Sequence, residues 1–118
     1  MSERPHKKLE AWKKSMDLVS VVYELTRAFP ANEEFGLKTQ LRRAAISVPS
    51  NIAEGMTRRT QNDKSHFLNI AQSSISEIDT QADIALRLGY LGEESRKELD
   101  RYLVQVGRLL TGLAQSLR

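Results

Sequence analysis

The sequence predicts an all-α protein, an up-down antiparallel four-helix bundle. Apolar residues recur at steps of three and four in four long segments, and three short breaks punctuated by Pro, Gly or capping residues separate them. No segment alternates apolar and polar residues over a useful strand length. The 118 residues suit a single domain spanning 1–118, because a domain typically holds roughly 100–200 residues. With 40% hydrophobic and 28% charged residues the chain is globular in composition. Helices of roughly 20–28 residues would be about 30–42 Å long, and four of them joined by short links bury their stripes economically only side by side.

Residues 1–8 are expected to form a flexible arm. The first helix, about 9–29, places Leu9, Trp12, Met16, Val19 and Tyr23 on one line and ends at Phe29-Pro30, since proline pushes its predecessor out of the helical region. Asn32, followed by Glu33 and Glu34, reads as an N-cap with acids at the positive helix end. The second helix, about 33–55, carries Leu37, Leu41, Ala45, Val48 and Ile52, with Pro49 inside it. Proline there removes a backbone bond and predicts a kink near Pro49; a break into two helices, the second capped by Ser50 or Asn51, is the competing expectation. The third helix, about 61–88, follows Thr60, three residues before Asp63, and carries Phe67, Ala71, Ile75, Ile78, Ala82 and Ala85 or Leu86. Gly89 is its natural C-terminal cap. The fourth, about 93–117, has the cleanest stripe: Leu99, Leu103, Val106, Leu110, Leu113 and Leu117.

Three helices carry more apolar surface than one bundle needs. Leu18, Val22, Leu25 and Phe29 form a second line on the first helix, Ile46 and Ala53 on the second, and Ile70, Ile84 and Leu88 on the third. These residues are the expected subunit interface of a homo-oligomer; a wide core stripe is the alternative. Glu77 lies between Ile70 and Ile84, and a carboxylate on a half-buried face needs a partner. The second helix offers a polar line of Gln40, Arg43, Ser47, Asn51 and Glu54, so a structural network is expected in which Arg43 pairs with Glu77.

Zero cysteines exclude a disulfide scaffold, a thiolate zinc site and thiol catalysis. His6 and His66 are the two histidines, too few for a metal cage or proton relay. A Gly-rich phosphate loop is absent, and Ser47, Ser50 and Ser73 to Ser76 have no histidine base in any evident arrangement. Asp79 and Asp83 stand one helical turn apart but read as a solvated face. No enzyme activity, metal or cofactor is expected. No apolar run approaches the ~18 residues of a membrane span, and the start, MSERPHKK, lacks the apolar stretch of a signal peptide. A soluble, cytoplasmic protein with no membrane contact is expected.

Net charge is +3, so its distribution matters more than its size. Residues 38–64 carry Lys38, Arg42, Arg43, Arg58, Arg59 and Lys64 against Glu54 and Asp63, whereas residues 65–100 are net acidic. The turn Thr57-Arg58-Arg59-Thr60, at a helix N-terminus and one turn before Lys64, is the best anion-binding candidate. Lys38, Arg42, Arg58, Arg59 and Lys64 are therefore the expected contacts to an RNA or DNA backbone. One such turn is weak, and oligomerisation would multiply it.

The stretch from Gln40 to Gly55, QLRRAAISVPSNIAEG, resembles the hallmark segment of the four-helix bundle proteins encoded within intervening sequences of bacterial 23S ribosomal RNA genes. Leu9 to Trp12, Phe29-Pro30, Phe67-Leu68, Ser74 to Glu77 and Leu88 to Leu91 agree with it. The resemblance implies a homopentameric assembly of up-down bundles and a relation to the accessory proteins of diversity-generating retroelements, which present a basic surface to nucleic acid. A non-enzymatic, self-associating bundle that binds RNA or DNA backbone is the resulting expectation. The alternative is a protein-interaction scaffold whose partner is another protein and which makes no nucleic-acid contact.

Overall fold

The computed structural model describes residues 4–117, and every regular element among them is helical. The helices are α1 (Glu10–Thr26), α2 (Leu37–Met56), α3 (Gln61–Arg87) and α4 (Glu93–Ser116), with short 3-10 turns at Pro5–Lys8 and Ala31–Glu33. The described part of the expected N-terminal arm is thus a turn, whose His6 ring meets Trp12 edge-on at 5.3 Å; residues 1–3 lie outside the described residues.

Each helix packs on its neighbours in the order α1–α2–α3–α4 and back to α1, with no close backbone approach across either diagonal among the described residues. Cross-helix pairs give the directions. Arg42 at the start of α2 reaches Thr26 at the end of α1, Arg58 beyond the end of α2 covers Phe67 near the start of α3, and Arg96 at the start of α4 reaches Asp83 near the end of α3. Consecutive helices are therefore antiparallel, within overall dimensions of 44 × 27 × 20 Å.

Local chemistry sets the ends. α1 stops at Thr26, earlier than the Pro30 signal implies, while Phe29 turns inward against Tyr90 with ring centroids 5.6 Å apart. Asn32 does not cap α2. Helix α2 begins at Leu37, whose N–H donates to the Glu33 carboxylate at 3.0 Å. Gly36 leaves room for that carboxylate, since a Cβ there would lie 2.6 Å from Glu33 Oε1. α2 then runs unbroken through the buried Pro49, so the two-helix alternative is not realised. Thr60 caps α3 by accepting from the Asp63 N–H at 3.1 Å. Gly89, at φ +78°, ends α3: its N–H donates to Leu86 O and that of Tyr90 to Ala85 O, satisfying the last carbonyls.

The core agrees with most of the expected stripes of α2, α3 and α4, including Leu41, Val48, Ile52, Ala71, Ile78, Ala82, Leu99, Leu103, Val106 and Leu110, but Phe67 is only half-buried and Leu68 beside it is the core residue. Helix α1 is turned the other way. Leu18, at 0% exposure, together with Val22 and Phe29, lies in the chain's own core and is not available to a subunit interface, and Leu25 packs half-buried against that core. Met16, from the line expected to be core, is 43% exposed, and Trp12 and Val19 are only half-buried. The inward line is completed by Ala11, Ser15 and Thr26, whose hydroxyls are satisfied within the helix by Trp12 O at 2.7 Å and Val22 O at 2.8 Å. Such small side chains let the neighbouring backbones approach, a role the wider Trp12 line cannot fill. The remaining candidates divide: Ile46 and Ile84 are exposed, Ala53 and Ile70 half-buried.

Candidate nucleic-acid interface and polar cleft

The five expected cationic contacts do not converge. Lys38 and Arg42 sit at the start of α2 and Arg58 beyond its end, about 30 Å away at 1.5 Å per residue. Lys38 is largely buried and pairs with Glu34 at 2.9 Å, and its ammonium holds the Glu34 carboxyl below its ordinary value. Arg42 is committed to the fold. Its guanidinium lies 4.2 Å from the Tyr23 ring centroid, its Nε donates to Thr26 Oγ1 at 2.9 Å and its Nη2 to Tyr23 O at 3.2 Å. A cation on the last carbonyls of α1 complements the negative end of that helix. Arg58 pairs with Glu54 and covers the Phe67 ring at 4.7 Å. Arg59 is exposed and Lys64 half-exposed.

The fold supplies what the linear sequence hides. Antiparallel packing places the start of α1, the α2–α3 turn and the end of α4 at one pole. That half carries Arg4, Lys7, Lys8, Lys13, Lys14, Arg58, Arg59, Lys64 and Arg108 against Glu10, Asp17, Glu54 and Asp63. The other half carries more acids than bases. Missing from the expected set were the N-terminal lysines, whose signal is cancelled in a linear count by acids that the fold sends to the far pole.

The polar network forms in part. Asn51 Nδ2 donates to Ser47 O at 2.8 Å and to Ser47 Oγ at 2.9 Å, and Ser74 Oγ joins Ser47 Oγ at 2.9 Å across α2–α3. Gln40, Arg43, Glu77 and Gln81 line the same cleft, of about 230 Å³. The expected Arg43–Glu77 ion pair is not formed: both side chains are exposed at the mouth, where water removes the need for a partner. Glu54 leaves the network for Arg58.

A second charged cluster stands at the acidic pole. Arg96, only 12% exposed in its side chain, donates its Nε to Asp83 at 2.8 Å, pairs with Asp79 and lies 4.0 Å from Asp100. Burial alone would lower its pKa, but the hydrogen bonds to Asp83 and Asp79 outweigh burial and leave it raised. Asp79 and Asp83 therefore hold an arginine of α4. Among the described residues, no group of three His, Asp or Glu is placed to hold a metal ion.

The family described as 23S rRNA-intervening sequence protein matches residues 7–112. The chain belongs to that family. Its fold is that of a crystal structure of a protein with unknown function from the S23 ribosomal protein family of Bacteroides thetaiotaomicron, with a TM-score of 0.81 over 88% of this chain and 97% of that one. Identity is 21%, so the likeness concerns the fold. No curated protein matches the chain.

The family-like segment from Gln40 to Gly55 has structural work at several positions in this intervening-sequence protein. Arg42 fastens α1, Ser47 lines the polar cleft with Asn51 donating to it, and Pro49 is buried. Gly55 brings α2 against α3, where a Cβ would meet Phe67 Cβ at 3.2 Å and Lys64 O at 3.4 Å. Between Trp12, Met16 and Val19 of α1 and Ile46, Pro49, Ser50 and Ala53 of α2 the surface opens into an apolar groove of about 320 Å³.

Proposed function

We propose that this protein is a non-enzymatic, self-associating bundle that binds RNA or DNA through its backbone phosphates. The observation that carries the reading is the basic pole, where antiparallel packing gathers the N-terminal lysines with Arg59 and Lys64. Phosphate contacts need no base-reading pocket, only cations free to move onto the backbone. Arg42 and Lys38 leave the contact set because they serve the fold, and the exposed Lys7 and Lys8 enter it. Self-association, a pentamer by the family resemblance, repeats the pole and multiplies weak contacts. Among the described residues, no helix is long and apolar enough to cross a membrane.

Titration of labelled RNA and DNA at two salt concentrations tests this. If each copy neutralises about four phosphates, affinity for duplex DNA falls by about a hundredfold between about 50 and 200 mM salt. Replacing Lys7, Lys8, Arg59 and Lys64 together by Gln is expected to flatten that slope. Absence of binding at low salt overturns the proposal. It would favour a protein-interaction scaffold, a reading supported by Ile84 and Leu88, two large exposed apolar side chains at the acidic pole.

A further inference from the structure

Phe35 is 94% exposed, the most exposed large apolar side chain among the described residues. It is not on a loose loop. The Gly36 N–H donates to Glu33 O at 3.1 Å, the Glu33 carboxylate accepts from the Leu37 N–H, Thr39 Oγ1 donates to Glu34 O, and Glu34 pairs with Lys38. The ring is thus presented to water on a pinned support, an arrangement that binding a partner would not have to order.

The groove between α1 and α2 has the complementary form. Its walls are Trp12, Met16, Val19, Ile46, Pro49 and Ala53, and its volume of about 320 Å³ holds an aromatic ring. Methionine and tryptophan are suited to such a contact. A copy cannot fill its own groove: Phe35 precedes α2, and Pro49 lies twelve residues beyond Leu37 on the same rigid helix, about 18 Å along its axis. The charges agree with contact between copies. Phe35 follows Glu33 and Glu34 at the acidic pole, while Trp12, at the other end of α1, is followed by Lys13 and Lys14 and touched by the turn carrying Lys7 and Lys8.

We infer that Phe35 of one copy seats in the α1–α2 groove of the next. The inference rests on the self-association reading and deepens it by naming knob and socket. Two different patches meet, so the contact is head-to-tail and every copy both gives a knob and receives one.

The test uses the full chain, by light scattering coupled to size exclusion. Wild-type protein at micromolar concentration is expected above the one-chain mass of 13.4 kDa. Phe35→Ser removes the knob and Met16→Arg blocks the socket, and each is expected to weaken assembly at least about thirtyfold, the scale of one buried aromatic anchor. Mixed together they should form a species of two chains that neither forms alone, because one intact knob meets one intact socket. Emission from Trp12, the single tryptophan, should shift to the blue on wild-type assembly and not in Phe35→Ser. Circular dichroism checks that both variants fold, and Ser50→Arg replaces Met16→Arg if it does not. A wild-type chain that stays at 13.4 kDa overturns the self-association reading and this contact with it. A wild-type assembly that Phe35→Ser leaves intact, or a mixture that yields no two-chain species, overturns the contact alone.

Discussion

Helices α1 and α4 carry similar amounts of apolar side chain and use them differently. In α4 a single line from Leu99 to Leu110 is buried, Tyr102, Leu109 and Leu113 flank it half-buried, and Val104 alone of its large aliphatic residues is exposed. In α1 two lines compete, and the one with the bulkier residues loses. Leu18 and Val22 go inside in company with Ser15 and Thr26, while Trp12 and Met16 stay at the surface. Apolarity marks the core only when a helix offers one candidate face. Where it offers two, close approach decides, and small hydroxyl residues that bond their own backbone become core residues.

The sharpest way to break this comparison is to truncate both α1 lines. Leu18→Ala should cost about 3 kcal/mol or more of protomer stability, because it opens a cavity in a fully packed core. Met16→Ala should cost about 0.5 kcal/mol or less. Urea unfolding at low protein concentration checks the pair. A larger cost for Met16→Ala than for Leu18→Ala would mean that α1 sits in the bundle with its other face inward.

The same contrast explains what was legible. Helix count, the short links, the Thr60 and Gly89 caps and the stripes of α2, α3 and α4 follow from spacing and turn chemistry, which are local. The facing of α1 is not local, since it depends on which neighbour fits against Ser15 and Thr26. The start of α2 departs from the capping expectation because Asn32 has the better capping side chain, whereas Glu33 has the longer reach and Gly36 makes room for it. The candidate site was half legible. Arg58, Arg59 and Lys64 announce themselves as a turn, but no linear reading separates a committed cation such as Arg42 from a free one such as Arg59, or joins Lys7 to Lys64.

Thr26 sharpens the comparison at the next level. Its hydroxyl is a polar atom in the α1 core, and it accepts from Arg42 Nε while its own proton goes to Val22 O. Thr26→Val keeps the shape and removes that acceptor; Arg42→Met removes the guanidinium from the end of α1 and from the face of Tyr23 and keeps only the apolar stem. Each change should cost about 1.5–3 kcal/mol, the range for hydrogen bonds to a charged group. The two costs should fall short of additivity by about 1 kcal/mol, since both break one contact. Additive costs would show that Thr26 is buried for packing alone. No equivalent pair is expected in α4, where the buried residues are all aliphatic.

The smallest effect concerns the two links at the acidic pole. The α3–α4 link is closed by backbone bonds at Gly89 and Tyr90, which do not titrate. The α1–α2 link depends on carboxylates, with Glu33 capping Leu37 and Glu34 paired to Lys38. Lys38, through its hydrogen bond and then its charge, holds the Glu34 carboxyl below its ordinary value of 4.5. A lowered folded value means that the unfolded chain takes up the proton first. The stabilisation is therefore complete above pH 4.5 and is lost as pH falls through the lower folded value. Hydrogen-exchange protection of the first amides of α2 should decline over that window while protection at Tyr90 holds. Lys38→Met should abolish that decline. If both links lose protection together, acid acts on the bundle as a whole, and the distinction between a charge-held link and a backbone-held one fails.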